Sequence, residues 1–451
     1  MNFSKTRARA SLVMILLRDN MREIVNIAWL VGDRAFRVLG TFLIGLIIAR
    51  IMGPADFGGY SYAYTLITLL MLAVSLGLNG VVVKQVVDRP YEVAEILGTA
   101  CLLQAIAAAA VVAMLALISA LAGWPGDHYA RLALIMALGL LFRPSEPVRY
   151  WFESQVSAKY AVVADNAAFV IGAAMKLSSL WIWRSLTALA WATAAEMALS
   201  GIFLVLIYRY RVRHDIRWRF SRRTAHALLR AGWPLLLAGL SIALYTRIDQ
   251  VILMALRGPA ETGIFSAAAR IGEMLYVLPT VVATTFFPRW QRLLQQSKRA
   301  HARALTMTMG WMVGSCALLS LAMLPLAPLI THLLYGDSYA AAAPALAIHI
   351  WTCVFVGMGV LGNQWYLSHG LQSRTLFCTV LGAVTNIGLN LALVPSLGAM
   401  GAAIASVAAQ AVSAFLADAV SPASRPLFLL KLRVLLFPVF WIGKSFRYQR
   451  G

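Results

Sequence analysis

Long apolar blocks alternate with short polar interruptions along this chain, and most blocks reach about 20 residues, enough to cross a bilayer as helices. The pattern predicts twelve helices, over approximately 26–50, 59–82, 94–121, 130–152, 160–182, 187–208, 232–256, 264–288, 304–330, 340–367, 375–395 and 400–418. The two longest would tilt or run past the hydrocarbon. One polar interruption occurs twice. Gly53-Pro54-Ala55-Asp56, with Gly58, Tyr60, Ser61 and Ala63, reads G-P-A-D-x-G-x-Y-S-x-A. Gly258-Pro259-Ala260-Glu261, with Gly263, Phe265, Ser266 and Ala268, reads G-P-A-E-x-G-x-F-S-x-A. A polar turn repeated in matching surroundings marks an internal duplication. Two similar halves around a shared site are how many secondary carriers are built. Ser185-Leu186-Thr187-Ala188 and Ser396-Leu397-Gly398-Ala399 form a weaker echo at equivalent turns.

The helices then divide into a basic N-tail (1–25), a six-helix bundle (26–208), an arginine-rich linker (209–231), a second six-helix bundle (232–418) and a basic C-tail (419–451). Within the C-tail, residues 426–446 are apolar but carry Lys431 and Arg433, which favours a helix lying in the membrane interface over a thirteenth span. Basic residues concentrate in alternate loops, above all in the linker, while the intervening loops hold only Arg50, Arg131, Arg184 and Arg257. The positive-inside rule therefore places both termini in the cytoplasm and both signature turns on the outer face.

Composition agrees with a chain that is almost all membrane. Of 451 residues, 61% are hydrophobic and 13% charged, where soluble domains have about a quarter charged. The net charge of +21 is explained by loop topology, so no nucleic-acid partner is implied. The four cysteines show neither CxxC nor Cys/His spacing, the seven histidines are scattered, and no phosphate-binding G-x-x-x-x-G-K-[ST] loop is present. No metal, cofactor or ATP hydrolysis is expected, and the outer loops are too short for a catalytic domain. Arg18, Asp19, Arg22 and Glu23 interrupt the first apolar run, which argues against a cleaved signal peptide.

Charges inside the spans are the candidate chemistry, because each costs a few kcal/mol unless it faces a cavity or a partner. The basic set is Arg34, Arg37, Arg143, Arg149, Lys176, Arg247 and Arg270; the acids are Asp33, Glu146, Asp165, Glu196, Asp249 and Glu273. Some pairs have a bland explanation: Asp33 with Arg37 and Arg270 with Glu273 have helical ion-pair spacing, and Arg34 and Arg149 lie near cytoplasmic ends where they can snorkel. As a set, the basic groups suit an anionic head group, and arginine grips phosphate through paired hydrogen bonds. Asp249, with Asp165 and Glu196, is a candidate for binding a coupling proton or cation, its plainer role being a partner for Arg247 or a neighbouring helix. Asn386 and Asn390 are one turn apart and fit either sugar hydroxyls or glue between helices.

These residues resemble a known family. Ala49-Arg50-Ile51-Met52-Gly53-Pro54 through Gly58 is similar to the turn after the first helix of bacterial polysaccharide-biosynthesis flippases of the Wzx type. Trp233-Pro234-Leu235 and Arg247-Ile248-Asp249-Gln250 resemble that family's seventh helix, and Gly263-Ile264-Phe265-Ser266 its eighth. Tyr335-Gly336-Asp337-Ser338-Tyr339 with Ala342-Ala343-Pro344 resembles the start of its tenth, and Gly382 to Asn390 and Gly398 to Ala403 its last two, with Val394-Pro395 where isoleucine-proline is usual. The resemblance implies an all-α, multidrug-exporter-like fold of twelve transmembrane helices in two bundles around a central cavity. It also implies movement of a polyprenyl-diphosphate-linked oligosaccharide to the outer leaflet of the bacterial plasma membrane. Its partners would be membrane lipid, the lipid-linked glycan, and the polymerase and glycosyltransferases of the same polysaccharide. Competing readings are a cation-coupled multidrug exporter of the same superfamily, a membrane-embedded glycan polymerase or ligase, and a membrane scaffold. The basic set disfavours the exporter, the short outer loops disfavour the enzyme, and the many buried charges disfavour the scaffold.

Overall fold

The computed structural model describes the backbone of residues 3–121, 128–211, 218–371 and 373–436, and the side chains of these from Phe36 onward apart from residues 284 and 288. The described residues fold into fifteen α-helices with short 3-10 and π turns between them: α1 (Phe3–Ser75), α2 (Asn79–Asp88), α3 (Val93–Leu121), α4 (His128–Ala137), α5 (Glu146–Ser154), α6 (Lys159–Ser178), α7 (Leu186–Arg211), α8 (Arg222–Arg257), α9 (Pro259–Met274), α10 (Val277–Gln296), α11 (Lys298–Tyr335), α12 (Ala342–His349), α13 (Thr352–Ser368), α14 (Ser373–Ala414) and α15 (Arg425–Leu436). Among the described residues, nine helical stretches are long and apolar enough to cross a membrane. Two of them, Phe36–Asp88 and Ser373–Ala419, exceed one crossing and are broken inside, at Gly53 and Gly398.

The duplicated signature makes the same backbone twice. Gly53 has φ 78° and ψ 175°, and Gly258 has φ 82° and ψ −173°. Only glycine takes this region at no steric cost, and the proline after each restarts the helix at a position that needs no N–H donor. Five residues on, the two copies meet. A Cβ on Gly58 would strike the Pro259 carbonyl, and a Cβ on Gly263 would strike the Pro54 carbonyl, so α1 and α9 cross with backbones touching. A second close approach sits just past the end of α1, where a Cβ on Gly77 would strike the Gly232 carbonyl inside α8 and a Cβ on Gly232 would strike the Leu76 carbonyl. The core next to the signature turns is closed by Ile48, Phe57, Phe265, Tyr335 and Tyr339, all nearly inaccessible. The Tyr339 hydroxyl donates to the Ala49 carbonyl at 3.0 Å, joining the two parts of the chain.

Several predicted spans prove discontinuous. The stretch 130–152 is α4, a 3-10 segment over Leu138–Ser145, and α5; Pro144 and Pro147 cannot donate to a continuous helix. The stretch 340–367 is likewise α12 and α13, and 264–288 is divided between α9 and α10. Helix α1 begins at Phe3, ahead of the predicted start at 26, because Arg18 to Glu23 interrupt hydropathy without disfavouring helix. Helix α15 packs on α11 and α13, burying Leu427, Lys431 and Val434; the rest of the stretch read as interfacial lies outside the described residues.

Candidate functional site

Helices α1, α8 and α9 enclose a cavity of about 290 Å³. Its charged lining is Arg37, Arg247, Arg270 and Glu273, three guanidiniums against one carboxylate. Each arginine is held differently. Arg37 Nη2 lies 2.8 Å from Asp165 Oδ2. Arg247 Nη2 lies 2.9 Å from Glu273 Oε2, bridging α8 and α9. Arg270 pairs with no carboxylate among the described residues; its guanidinium stands over the Phe57 ring, 5.2 Å from the centroid, a cation–π arrangement. Thr65 Oγ1 donates to Gln250 Oε1 at 2.5 Å, tying α1 to α8 on the cavity wall.

The other basic candidates sit behind this wall. Arg149 forks onto Asp165, with Nη2 to Oδ1 at 2.9 Å, and its Nε donates to Glu146 at 3.1 Å. Arg143 also pairs with Glu146. Ser200 donates to Asp165 at 2.6 Å. The result is one network, Arg37–Asp165–Arg149–Glu146–Arg143, in which three cations share two acids and only Arg37 reaches the cavity. Lys176 Nζ lies 2.5 Å from Glu196 Oε2, in a separate pair between α6 and α7. The Arg34 and Asp33 side chains lie outside the described residues.

A third cluster lies between α8 and the two arms of α14. Asp249, 2% exposed, accepts from Asn390 Nδ2 at 2.6 Å and from Ser406 Oγ at 2.6 Å. Asn390 Nδ2 also lies 3.0 Å from Asn386 Oδ1. No cation pairs with Asp249 among the described residues, so this buried carboxylate is neutralised by neither Arg247 nor Arg270. The i,i+3 pair expected between Arg270 and Glu273 is replaced by Arg247–Glu273, because Glu273 turns toward α8. No group of three or more His, Cys, Asp or Glu side chains suited to a metal occurs among the described residues. Sequence reasoning missed Ser406, Gln250 and Thr65, which look like ordinary helix-packing polar residues until three-dimensional neighbours are known.

A smaller cavity of about 90 Å³ lies beneath α15. Here Lys431 Nζ sits 2.7 Å from Asp418 Oδ2 and 2.7 Å from the Ala414 carbonyl, and the Tyr366 hydroxyl donates to the other Asp418 oxygen.

The fold and site together define a helical, multi-pass membrane protein with a basic cavity among its helices. The model of the family described as polysaccharide biosynthesis protein matches residues 26–294, and the MatE model matches residues 234–392. The chain belongs to the polysaccharide biosynthesis protein family. It is 26% identical over 288 residues to the probable flippase AglR of Haloferax volcanii, covering 61% of this chain and 56% of that one. It is 22% identical over 329 residues to the succinoglycan biosynthesis transport protein ExoT of Rhizobium meliloti, covering 72% and 64%. The chain thus spans less than two thirds of the length of these two relatives. To the capsular polysaccharide biosynthesis protein CapF of Staphylococcus aureus it is 22% identical over 395 residues, covering 82% and 92%. Among solved structures, the lipid II flippase MurJ in an inward closed conformation superposes with a TM-score of 0.71 at 14% identity, covering 94% of this chain and 93% of that one. An inward-facing multidrug transporter of the MATE family gives 0.60 at 17% identity, covering 88% and 94%. These two likenesses are of fold.

Proposed function

We propose that this protein is a flippase that carries a polyprenyl-diphosphate-linked oligosaccharide from the cytoplasmic to the outer leaflet of the bacterial plasma membrane, by alternating access and without catalysis. The observation that carries the reading is the cavity itself. Three arginines face one carboxylate in it, a balance that attracts a diphosphate and repels the cationic passengers typical of drug export. The relatives' names, a probable flippase and proteins of polysaccharide transport and biosynthesis, support the passenger class. Polymerase and glycosyltransferases of the same glycan are its functional partners.

In this reading the nine apolar stretches become twelve crossings. The breaks at Gly53 and Gly398 divide one stretch each, and His128–Ser154 crosses as α4, its 3-10 turn and α5. Each half then has six, both termini are cytoplasmic, and the signature turns face outward. Arg37, Arg247 and Arg270 contact the diphosphate directly. Arg143 and Arg149 hold Arg37 through Asp165, and Lys176 with Glu196 fixes α6 to α7. Asp249, with Asn386, Asn390 and Ser406, forms the coupling site. Its single carboxylate and oxygen-rich surroundings fit a proton or a monovalent cation better than a divalent one, which recruits more carboxylates.

Reconstituted vesicles with a fluorescent polyprenyl-diphosphate sugar test this directly. Wild type is expected to move the sugar between leaflets faster under an ion gradient. Arg37→Ala and Arg247→Ala each abolish movement while remaining inserted, and Asp249→Asn loses the gradient response. Normal flipping by both arginine variants, or transport of drug cations in place of the lipid, would overturn the reading.

A further inference from the structure

Two hydroxyls of the duplicated signature stand outside the ion pairs and hydrogen-bond networks of the cavity wall. Ser61 follows Gly58 by three residues and Ser266 follows Gly263 by three, so each stands about one helical turn beyond the α1–α9 crossing. Both line the central cavity, both are 4% exposed, and neither Oγ has a hydrogen-bond partner among the described residues. Helical serines ordinarily return their hydroxyl to the carbonyl three or four residues back. Ser241 and Ser320 do so here, at 2.8 and 2.9 Å. A buried hydroxyl left without a partner destabilises the fold. A matched pair of them, at equivalent positions of both signature copies and in the lining of the cavity that holds three guanidiniums, leaves two donors for an acceptor-rich ligand.

We infer that Ser61 and Ser266 form a two-hydroxyl clasp for phosphoryl oxygens, at the end of the cavity nearest the signature turns. This rests on the diphosphate reading and adds to it. The arginines supply charge, whereas the serines supply neutral donors from opposite halves, so that one phosphate group bridges α1 and α9 only while those helices touch. Parting the Gly58–Gly263 crossing separates the donors, and the passenger's grip weakens as the cavity opens on that side.

The test uses the purified full-length chain in nanodiscs with inorganic pyrophosphate as probe, followed by calorimetry. Ser61→Ala and Ser266→Ala are each expected to weaken binding about tenfold, the size of a lost hydrogen bond to a charged acceptor, and the double variant further. Their melting temperatures hold or rise, since an unpaired hydroxyl is removed. Ser320→Ala, whose hydroxyl is satisfied within its own helix, leaves affinity unchanged. Unchanged affinity in the signature variants with a fall in melting temperature would overturn the clasp and make both serines structural. Loss of binding in Arg37→Ala and Arg247→Ala but not in the serine variants would remove the clasp alone. No binding by wild type would remove the diphosphate reading and the clasp with it.

Discussion

Lys431 and Asp418 are 2% and 1% exposed in their side chains and stand 2.7 Å apart, and although the Ala414 carbonyl and the Tyr366 hydroxyl also bond to them, each is the only opposite charge the other meets among the described residues. Removing one partner of such a pair exposes the full desolvation cost of the other. Lys431→Met is therefore expected to destabilise the fold by about 3–5 kcal/mol, read as a drop in melting temperature in detergent, with most of the loss recovered in Lys431→Met/Asp418→Leu. At this scale the sequence was partly readable. Intramembrane charges announced themselves by their rarity, and Arg37, Arg247 and Arg270 all lie on the cavity wall. Their partners did not announce themselves. Asp165 is paired with arginines from two other helices, and helical spacing sees only neighbours on its own helix. The likeness between Ser61 and Ser266 was in the repeat, but their unpaired state depends on what surrounds them.

Helices supply a second kind of expectation. Glycine in a helix interior costs roughly 0.5–1 kcal/mol relative to alanine, so glycines without a steric reason are sites of easy gain. Gly314 in α11 has nothing within 4 Å of where a Cβ would stand, and Gly314→Ala should raise stability by about that amount. Gly58→Ala gains the same helical propensity but drives a methyl into the Pro259 carbonyl, and its melting temperature should fall instead. Paired thermal melts of the two variants check both signs; a stabilised Gly58→Ala would show that the α1–α9 crossing is looser than described. Element positions were legible from hydropathy because each crossing needs an apolar block. Breaks such as Leu138–Ser145 were not, since hydropathy is blind to where a proline withdraws a donor.

For the whole molecule, the expectation concerns sidedness. The arginine-rich linker is strapped to α3, with the Arg219 amide donating to the Ala94 carbonyl at 3.2 Å and the Ser221 amide to Thr99 Oγ1 at 3.1 Å. In the proposed orientation this strap is cytoplasmic. A cysteine at Arg222 should react with a membrane-impermeant thiol reagent only after cells are opened, and a cysteine at Ala55 in intact cells; the reverse pattern would invert the topology. The duplication made two related halves legible, while the face on which they touch came only from the glycine contacts.

Those contacts also bear on how the two copies can change over time. Most packing faults admit a remedy, since a residue that grows on one side can be answered by one that shrinks on the other. Gly58 and Gly263 already face backbone rather than side chain, and glycine has nothing left to give up. No partner substitution can accommodate a methyl at either position. Each copy of the signature thus forbids drift in the other, and these two glycines should stay fixed together even while the turns around them diverge.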